Sequence, residues 1–483
     1  MNSNVVTWAI PHTEMCSNVY SVSVEGIIIP VWLARVREAI NKPDGTGWTS
    51  MLGGPTEWCS FARFDASYPV TVTVKVLRPF HHAEILPRSA GIPIEVDGET
   101  ARFRLDGPRH LTLCLDGCDE QPLHLFCREI EKDRPDPNDK NVIYFGPGEH
   151  WVNSIRVKSG QTIYIDGDAV LRAILPEGAQ GNRDGVLKLS GYGHPVLDVD
   201  GVEDVRICGR GVIDGGCLPH PAKSLVRVNK SCGVRIEGLT LRNSPSWHLP
   251  VYSSQDVAVE DLVGLSGRLN SDGINCVSSS RVSVRRSFIR SHDDSFVVKT
   301  MQSDRPSANI LYEDCIAWND WGYAFGISYE TRADIRDVVF RNCDVLFSRN
   351  WALGVHVSDG GTIGPVLFEG INVLYPQTSI IPHMGRQSIK LDIVRDIWGK
   401  DDRRGHIRDI TFRDITIAGK DIPPIAINGF DAAHCVEDVS FENLKVSGLR
   451  VVSPEDQIFH CNEHVRNINV LKGNAEQSLR GDA

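Results

Sequence analysis

A short apolar motif recurs through most of this 483-residue chain, and its spacing restricts the possible fold more than any other feature. The motif reads apolar-x-apolar-x-x-x-x-apolar; its first position is Val or Ile, and its third is Val, Ile or an aromatic residue. It begins at Val205, Val234, Val257, Val282, Ile310, Val338, Val366, Ile410 and Val439. Most of these starts follow one another at a nearly constant interval, and only the step from Val366 to Ile410 is clearly longer. Short strands that return at a period in the twenties are typical of a β-solenoid, whose coils stack at about 4.8 Å.

The repeat predicts an all-β fold, a right-handed parallel β-helix. An ordinary β-sandwich is the alternative, but its strands would follow one another much more closely along the chain than these motifs do. The one long step, from Val366 to Ile410, predicts an insertion at 377–405 that projects as a loop on one face.

The first part of the chain has a different pattern. Apolar and polar residues alternate with period two from about residue 18 to 130, most clearly over 70–76. Asp97-Gly98 separates two such runs, which is a strong hairpin signal. We therefore predict an N-terminal β-sandwich over 1–133, a linker rich in Pro and Asp over 134–140, and the β-helix over 141–483.

Composition excludes several classes of partner. Lys and Arg number 51 against 62 Asp and Glu, a formal net charge of −11. Without a basic surplus, we expect neither a nucleic-acid nor an anionic-membrane partner. No apolar run reaches the roughly 18 residues of a membrane span, and the N-terminus lacks a signal-peptide pattern, so we expect a cytoplasmic protein. The 13 cysteines lack zinc-binding spacing, and we expect no metal or cofactor.

Two neighbouring coils carry acidic residues at matching places. The separation of Asp272 and Asp293 along the chain is close to the length of one coil, so their carboxylates should face the same way. Asp294 joins them only if it lies at a turn, because neighbours in a regular strand point to opposite faces. Three close carboxylates repel one another, and we expect at least one to have a raised pKa and to hold a proton. A protonated carboxyl beside ionised ones is what glycosidic cleavage requires.

These residues also resemble a known family. The sequences NSDGI at 270–274 and DDS at 293–295, preceded by GRGVIDG at 209–215 and NSPSWH at 243–248, resemble motifs of glycoside hydrolase family 28, the polygalacturonase-like enzymes. The related dextranases of family 49 share the three-Asp arrangement and carry an N-terminal β-sandwich before their β-helix. The resemblance covers roughly residues 141–471.

The resemblance implies roles for four residues. Asp293 would be the general acid, Asp272 and Asp294 would activate the attacking water, and the anomeric configuration would be inverted. Asn270 would position the Asp272 side of the cluster. The substrate, a poly- or oligosaccharide, is the expected partner.

This chain departs from the family pattern at two places. The family's G-H-G motif corresponds to residues 321–328 here, which places Tyr323 where a His would be. Residues 354–360 lack the Arg-x-Lys that holds a uronate carboxylate, and Arg386 and Lys390 could replace that pair only by reaching back. Because a carboxylate site needs a nearby cation, we expect a glycan other than simple galacturonan.

Further side chains near the acids are candidates for substrate binding, either by stacking on sugar rings or by hydrogen bonding to hydroxyls. They are His248, Lys299, Trp321, Tyr323, Glu330, His356 and Asp359. Two alternative functions stay open, a β-helix lyase or epimerase that acts on a uronate polymer, and a non-catalytic carbohydrate-binding β-helix.

Overall fold

The computed structural model describes residues 4–37, 56–117, 121–175, 194–219, 222–374, 387–419 and 421–472. Within these ranges the protein is made of β-strands, with one 3-10 helix at Arg88–Ala90. No helical segment in the described ranges is both long and apolar enough to span a bilayer.

The first eleven strands form two mainly antiparallel sheets. They are β1 (Val5–Val6), β2 (Tyr20–Val24), β3 (Ile27–Ile29), β4 (Val31–Arg37), β5 (Glu57–Ala66), β6 (Val70–Val76), β7 (Ala83–Leu86), β8 (Glu95–Asp97), β9 (Thr100–Leu105), β10 (Arg109–Leu115) and β11 (Leu123–Glu129). One sheet has the order β3-β2-β6-β9-β8, and the other β1-β5-β11-β10-β7 with β4 on β5. Alternate apolar side chains of both sheets share one core, as the period-two pattern predicted. Asp97 pairs with Thr100 across the predicted hairpin.

The strands that follow belong to the coils of the β-helix. They are β12 (Val142–Phe145), β13 (Gly148–Val152), β14 (Ile155–Arg156), β15 (Thr162–Ile165), β16 (Ala169–Ala173), β17 (Leu197–Asp200), β18 (Glu203–Gly209), β19 (Val212–Asp214), β20 (Val226–Asn229), β21 (Cys232–Glu237), β22 (Thr240–Arg242), β23 (Leu249–Tyr252), β24 (Gln255–Glu260), β25 (Val263–Leu265), β26 (Ile274–Val277), β27 (Ser280–Arg285), β28 (Phe288–Ser291), β29 (Phe296–Thr300), β30 (Ser307–Glu313), β31 (Ile316–Asn319), β32 (Tyr323–Thr331), β33 (Ile335–Arg341), β34 (Asp344–Ser348), β35 (Trp351–Val357), β36 (Thr362–Ile363), β37 (Val366–Glu369), β38 (Asn372–Leu374), β39 (Gln387–Ile393), β40 (His406–Arg413), β41 (Thr416–Ala418), β42 (Ile425–Asn428), β43 (Val436–Glu442), β44 (Lys445–Val446), β45 (Leu449–Arg450), β46 (Phe459–Cys461) and β47 (Val465–Leu471).

The chain divides into two compact units. The first unit contains residues 1–274 and 284–293, and the second contains 275–283 and 294–483. The domain boundaries at 133 and 140 stay a prediction.

The coils of the first unit form three parallel sheets. One joins β12, β15, β18, β21 and β24, another joins β13, β16, β19, β22, β25 and β28, and the third joins β14, β17, β20 and β23. The predicted motif sets the register, because Val205 pairs with Val234 and Val234 pairs with Val257. Each coil therefore buries the same motif positions as its neighbour.

The second unit repeats this arrangement with aromatic residues in its core. Phe340, Phe368, Phe412 and Phe441 stack in successive coils with ring centroids 4.8 to 5.0 Å apart. Its third sheet joins β29, β32, β35, β39, β42 and β46. The parallel β-helix predicted from the repeat is confirmed in both units.

One prediction about the coils was wrong in part. The supposed insertion at 377–405 contains β39, an ordinary strand of the third sheet that pairs with β35 and β42. Residues 387–393 lack the repeated motif, so the spacing of the motif gave no sign of the strand that they form. Residues 377–386 of that insertion, including Arg386, lie outside the described residues.

Candidate active site

Two acidic residues of the first unit lie on neighbouring turns. Asp272 follows β25 and Asp293 follows β28, and these two strands pair in parallel, with Gly264 opposite Ile289. Both turns therefore leave the same edge of the sheet, as the coil spacing predicted. One carboxylate oxygen of Asp272 and one of Asp293 lie within 4.8 Å of each other. Asp272 is buried, whereas Asp293 is partly exposed.

The buried histidine His248 holds the turn that carries Asp272. His248 donates its backbone N–H (2.7 Å) and its Nδ1–H (2.8 Å) to the carbonyl oxygen of Asp272. Burial lowers the pKa of His248 to about 4, so the ring is neutral near pH 7. The side chain is fully buried, and the contact that the structure gives it is to the Asp272 turn. Its predicted role in substrate binding stays a prediction.

Asn270 contacts a different acid from the one that we expected. Its Nδ2 lies 3.5 Å from Oδ2 of Asp293, at the limit of a hydrogen bond. Asn270 has a φ of 54°, a left-handed conformation that Asn tolerates better than most residues. The described contact thus places its amide on Asp293, whereas the family resemblance implied the Asp272 side.

Asp294, the next residue of the chain, begins the longer segment of the second unit, at a bend before β29. The bend that the shared use of Asp293 and Asp294 requires is therefore present. The buried Asp294 carboxylate accepts hydrogen bonds from the backbone N–H of Tyr323 (2.9 Å), the Ser328 hydroxyl (2.6 Å) and Lys299 Nζ (3.1 Å). Lys299 Nζ also lies 3.3 Å from Oε2 of Glu330. Lys299 and Glu330, two predicted site residues, thus lie beside Asp294.

An irregularity in β32 brings these groups together. Val298 pairs with Ile327, but Thr300 pairs with Thr331, so four residues of β32 span the length of two in β29. Tyr329 within this bulge has a φ of 54°, which is rare for an aromatic residue. Sequence reasoning missed Ser328, because nothing in a local pattern shows where a bulge will direct a hydroxyl.

Tyr323, which the family resemblance placed where a histidine would be, lies at the start of β32. Its fully buried ring stacks on Trp351 at 4.9 Å, and burial raises its pKa well above the usual value. Its hydroxyl makes no hydrogen bond to any described residue. Tyr323 therefore contacts Asp294 through its backbone N–H alone. Trp321, another predicted substrate residue, is also buried.

His356 belongs to a buried charged group. Its Nδ1 lies 2.7 Å from Oδ1 of Asp392, and Lys390 Nζ lies 2.8 Å from Oδ2 of the same carboxylate. Burial alone would raise the pKa of Asp392, but the charges of His356 and Lys390 outweigh it and hold that pKa well below its usual range. Lys390 also lies 4.4 Å from the Trp351 ring centroid. Lys390, on β39, therefore contacts the side chain of Trp351 on the neighbouring strand β35.

Asp359 is a turn residue in this structure. Its fully buried carboxylate accepts backbone N–H groups from Thr331 (3.0 Å), Asp401 (2.8 Å) and Lys400. These contacts occupy both oxygens, so the predicted role of Asp359 in binding substrate has no support from its geometry.

Comparisons with known proteins agree with this architecture. A family model described as "Glycosyl hydrolases family 28" matches residues 154–468. A protein of Vitis vinifera described as a probable polygalacturonase is 27% identical over 303 residues, which cover 57% of this chain and 53% of that protein. The chain spans about half the length of the curated relatives that it matches first.

Two solved structures resemble the fold. Dex49A from Penicillium minioluteum has a TM-score of 0.63 and 13% identity, and the likeness covers 96% of both chains. The polygalacturonase of Erwinia carotovora ssp. carotovora has a TM-score of 0.52 and 17% identity over 71% of this chain and 96% of that one. At these identities the likeness shows the fold alone. It confirms a right-handed parallel β-helix preceded by an N-terminal β-sandwich.

Proposed function

We propose that this chain, which belongs to the glycosyl hydrolases of family 28, hydrolyses O-glycosidic bonds of a poly- or oligosaccharide. The observation that carries the proposal is the pair of close carboxylates, Asp272 and Asp293, on adjacent turns, with Asp294 next in the chain. Two carboxylates at such a distance cannot both ionise easily, so the pair shares a proton that it can give to a leaving oxygen.

The proposed mechanism divides the work between the acids. Asp293 is partly exposed and protonates the glycosidic oxygen, while Asp272 and Asp294 activate the attacking water. Retaining enzymes hold their two carboxyl groups about 5 to 5.5 Å apart, and inverting enzymes about 6.5 to 9.5 Å. The separation within 4.8 Å lies nearer the first range, so inversion is proposed from the family resemblance and not from this spacing.

The charges of the second unit favour a substrate other than simple galacturonan. Lys299 Nζ contacts Asp294 and Glu330, and Lys390 Nζ contacts Asp392. Each ammonium group is thus already neutralised by a buried carboxylate of the protein. A uronate carboxylate would have to displace one of these contacts, whereas a neutral sugar would not.

A glycan screen with NMR detection tests the proposal. The purified protein is incubated with dextran, an α-1,3-glucan and polygalacturonate, and the first reducing ends to appear are assigned as α or β. We expect hydrolysis of a neutral chain, with β products from an α linkage. The α anomer would contradict inversion, and polygalacturonate as the preferred chain would contradict the substrate class.

The acidic pair also suits a hard cation, because carboxylate oxygens are what Ca²⁺ prefers. A calcium-dependent lyase on a uronate polymer is therefore the second candidate. Products with an unsaturated, ultraviolet-absorbing end, together with loss of activity on adding EDTA, would favour it. Tight glycan binding without turnover would favour a non-catalytic β-helix instead.

A further inference from the structure

A cavity of about 280 Å³ lies in the first unit, and Arg290, on the strand that precedes the Asp293 turn, is one of its lining residues. Strands β4 and β5 of the N-terminal domain and β28 of the β-helix line it. Its walls include Val36, Glu57, Trp58, Gln121, Pro122 and Arg290. The volume is at the low end for ligand pockets, which begin at about 300 Å³, and suits one sugar ring better than a chain.

The cavity lies close to both acidic turns of the first unit. Arg290 is three residues before Asp293, a distance of at most about 10 Å along an extended chain. On the other side, Gly267 lies five residues before Asp272 and packs directly on β4. A Cβ built at Gly267 would lie 1.9 Å from the carbonyl carbon of Val36, so only glycine permits this approach.

Buried polar contacts fix the N-terminal domain at this place. Arg242 donates to Glu14 Oε2 (2.9 Å) in the N-terminal segment and to Asp214 Oδ2 (2.8 Å) in the β-helix. Arg35, on β4, donates Nη2–H to the carbonyl oxygen of Gly216 (2.8 Å) and its backbone N–H to Asn243 (3.1 Å). The N-terminal walls of the cavity are therefore held in a defined position beside the first coils.

The side chains of the cavity match the chemistry of a sugar. Trp58 is partly buried and supplies an aromatic ring, on which the apolar face of a pyranose can stack. Glu57, paired with Arg37 at 2.5 Å, supplies acceptors for hydroxyl groups. Arg290 supplies donors, and its Nη1 lies 3.3 Å from Nε2 of His124. Burial lowers the pKa of His124 well below the usual value, so this ring is a neutral acceptor.

We propose that this cavity is a sugar-binding subsite that the N-terminal domain adds beside the acidic pair Asp272 and Asp293. The inference rests on the proposed glycosidase function. A substrate long enough to reach from Asp293 to Trp58 gains binding energy there, and a shorter one does not.

The test compares substrates of increasing length. For the wild-type protein, Trp58→Ala and Glu57→Gln, kcat/KM is measured on dextran-derived and α-1,3-glucan-derived oligosaccharides from the disaccharide to the octasaccharide. We expect the ratio of kcat/KM between the longest and shortest substrates to fall about tenfold in Trp58→Ala, as for the loss of one stacked aromatic ring. Trp151→Ala is the matched control, because Trp151 is 60% exposed on β13 and lies outside the cavity lining.

The outcomes separate this inference from the proposed function. An unchanged length dependence in both folded variants, with wild-type hydrolysis intact, would overturn the subsite and leave the function standing. If Trp58→Ala does not fold, a reduced length dependence in Glu57→Gln supports the subsite and an unchanged one overturns it. Absence of both binding and hydrolysis in the wild-type protein would overturn the two proposals together.

Discussion

Asp293 and Asp294 are neighbours in the chain, yet they differ in exposure and in the hydrogen bonds described for them. The partly exposed Asp293 lies near the carboxylate of Asp272 and contacts the neutral amide of Asn270. Asp294 is buried and accepts hydrogen bonds from three donors, one of which is the Lys299 ammonium group. Among the hydrogen bonds described for the two carboxylates, Asp293 contacts a neutral amide, whereas Asp294 contacts an ammonium group.

This difference suggests how adjacent identical residues divide two tasks. In the proposed mechanism, the contacts of Asp294 with an ammonium group and a hydroxyl suit the residue that activates water. The partial exposure of Asp293 suits the proposed acid, which must reach the leaving oxygen of the substrate. We therefore expect charge removal to have its largest catalytic effect at Asp293 and its largest effect on stability around Asp294.

The largest effect is expected for Asp293→Asn. The amide cannot protonate the leaving oxygen, so kcat should fall by about 10²- to 10⁴-fold, while the thermal midpoint stays near the wild-type value. Initial rates on the glycan found by the screen, with circular dichroism for folding, measure this. Asp402→Asn is the control, since that side chain is 96% exposed. Full activity in a folded Asp293→Asn protein would refute the assignment of the acid.

The next largest effect is expected on stability, for Lys299→Met. Removing this buried ammonium group leaves Asp294 and Glu330 without their cation, a change that typically costs about 3 to 5 kcal/mol. Urea unfolding at pH 7 measures the loss. Arg395→Met is the matched control, because the Arg395–Asp402 pair is exposed and should contribute less than about 1 kcal/mol. Similar losses in the two variants would show that Asp294 does not depend on its charged partner.

A smaller effect is expected from pH, through His248 in the first unit. Burial lowers the pKa of His248 to about 4 in the folded protein, against about 6.5 in an unfolded chain. Below pH 6.5 the unfolded chain binds more protons, so stability falls as the pH falls from 6.5 toward 4. At pH 5 this histidine should remove about 2 kcal/mol of the unfolding free energy present at pH 7.

Substituting His248 separates its contribution to the pH dependence of stability from those of other buried histidines. One of these is His110, whose pKa burial also lowers to about 4. In His248→Gln the loss of stability between pH 7 and pH 5 should be smaller than in the wild-type protein by about 2 kcal/mol. Urea unfolding at the two pH values measures the difference. An equal loss in both proteins would mean that His248 is protonated in the native state and does not hold the Asp272 turn as a neutral ring.

The sequence predicted the features of the fold and site that repeat locally. The motif from Val205 onward set the coil register, and the paired acidic turns followed from the coil length. It did not predict Ser328 on Asp294, because the bulge in β32 depends on pairing with β29. Residue spacing did not predict the contact of Asn270 with Asp293, because the left-handed conformation of Asn270 sets the direction of its amide. It also gave no sign of the cavity at Trp58, whose walls come from β5 and β28, strands that are far apart in the chain.

The smallest effect is expected for Tyr323→Phe, which tests whether the hydroxyl replaces the family histidine. The Tyr323 hydroxyl is buried and makes no hydrogen bond to a described residue, whereas the backbone N–H of Tyr323 binds Asp294. Phenylalanine keeps that N–H and the stacking on Trp351, and it removes a buried hydroxyl that has no hydrogen-bond partner among the described residues. We therefore expect kcat within about twofold of wild type and a thermal midpoint that is unchanged or higher. A fall in kcat beyond about tenfold, with folding intact, would show that the hydroxyl acts on the acids. The difference between Asp293 and Asp294 would then depend on the Tyr323 hydroxyl as well as on the Tyr323 backbone N–H that binds Asp294.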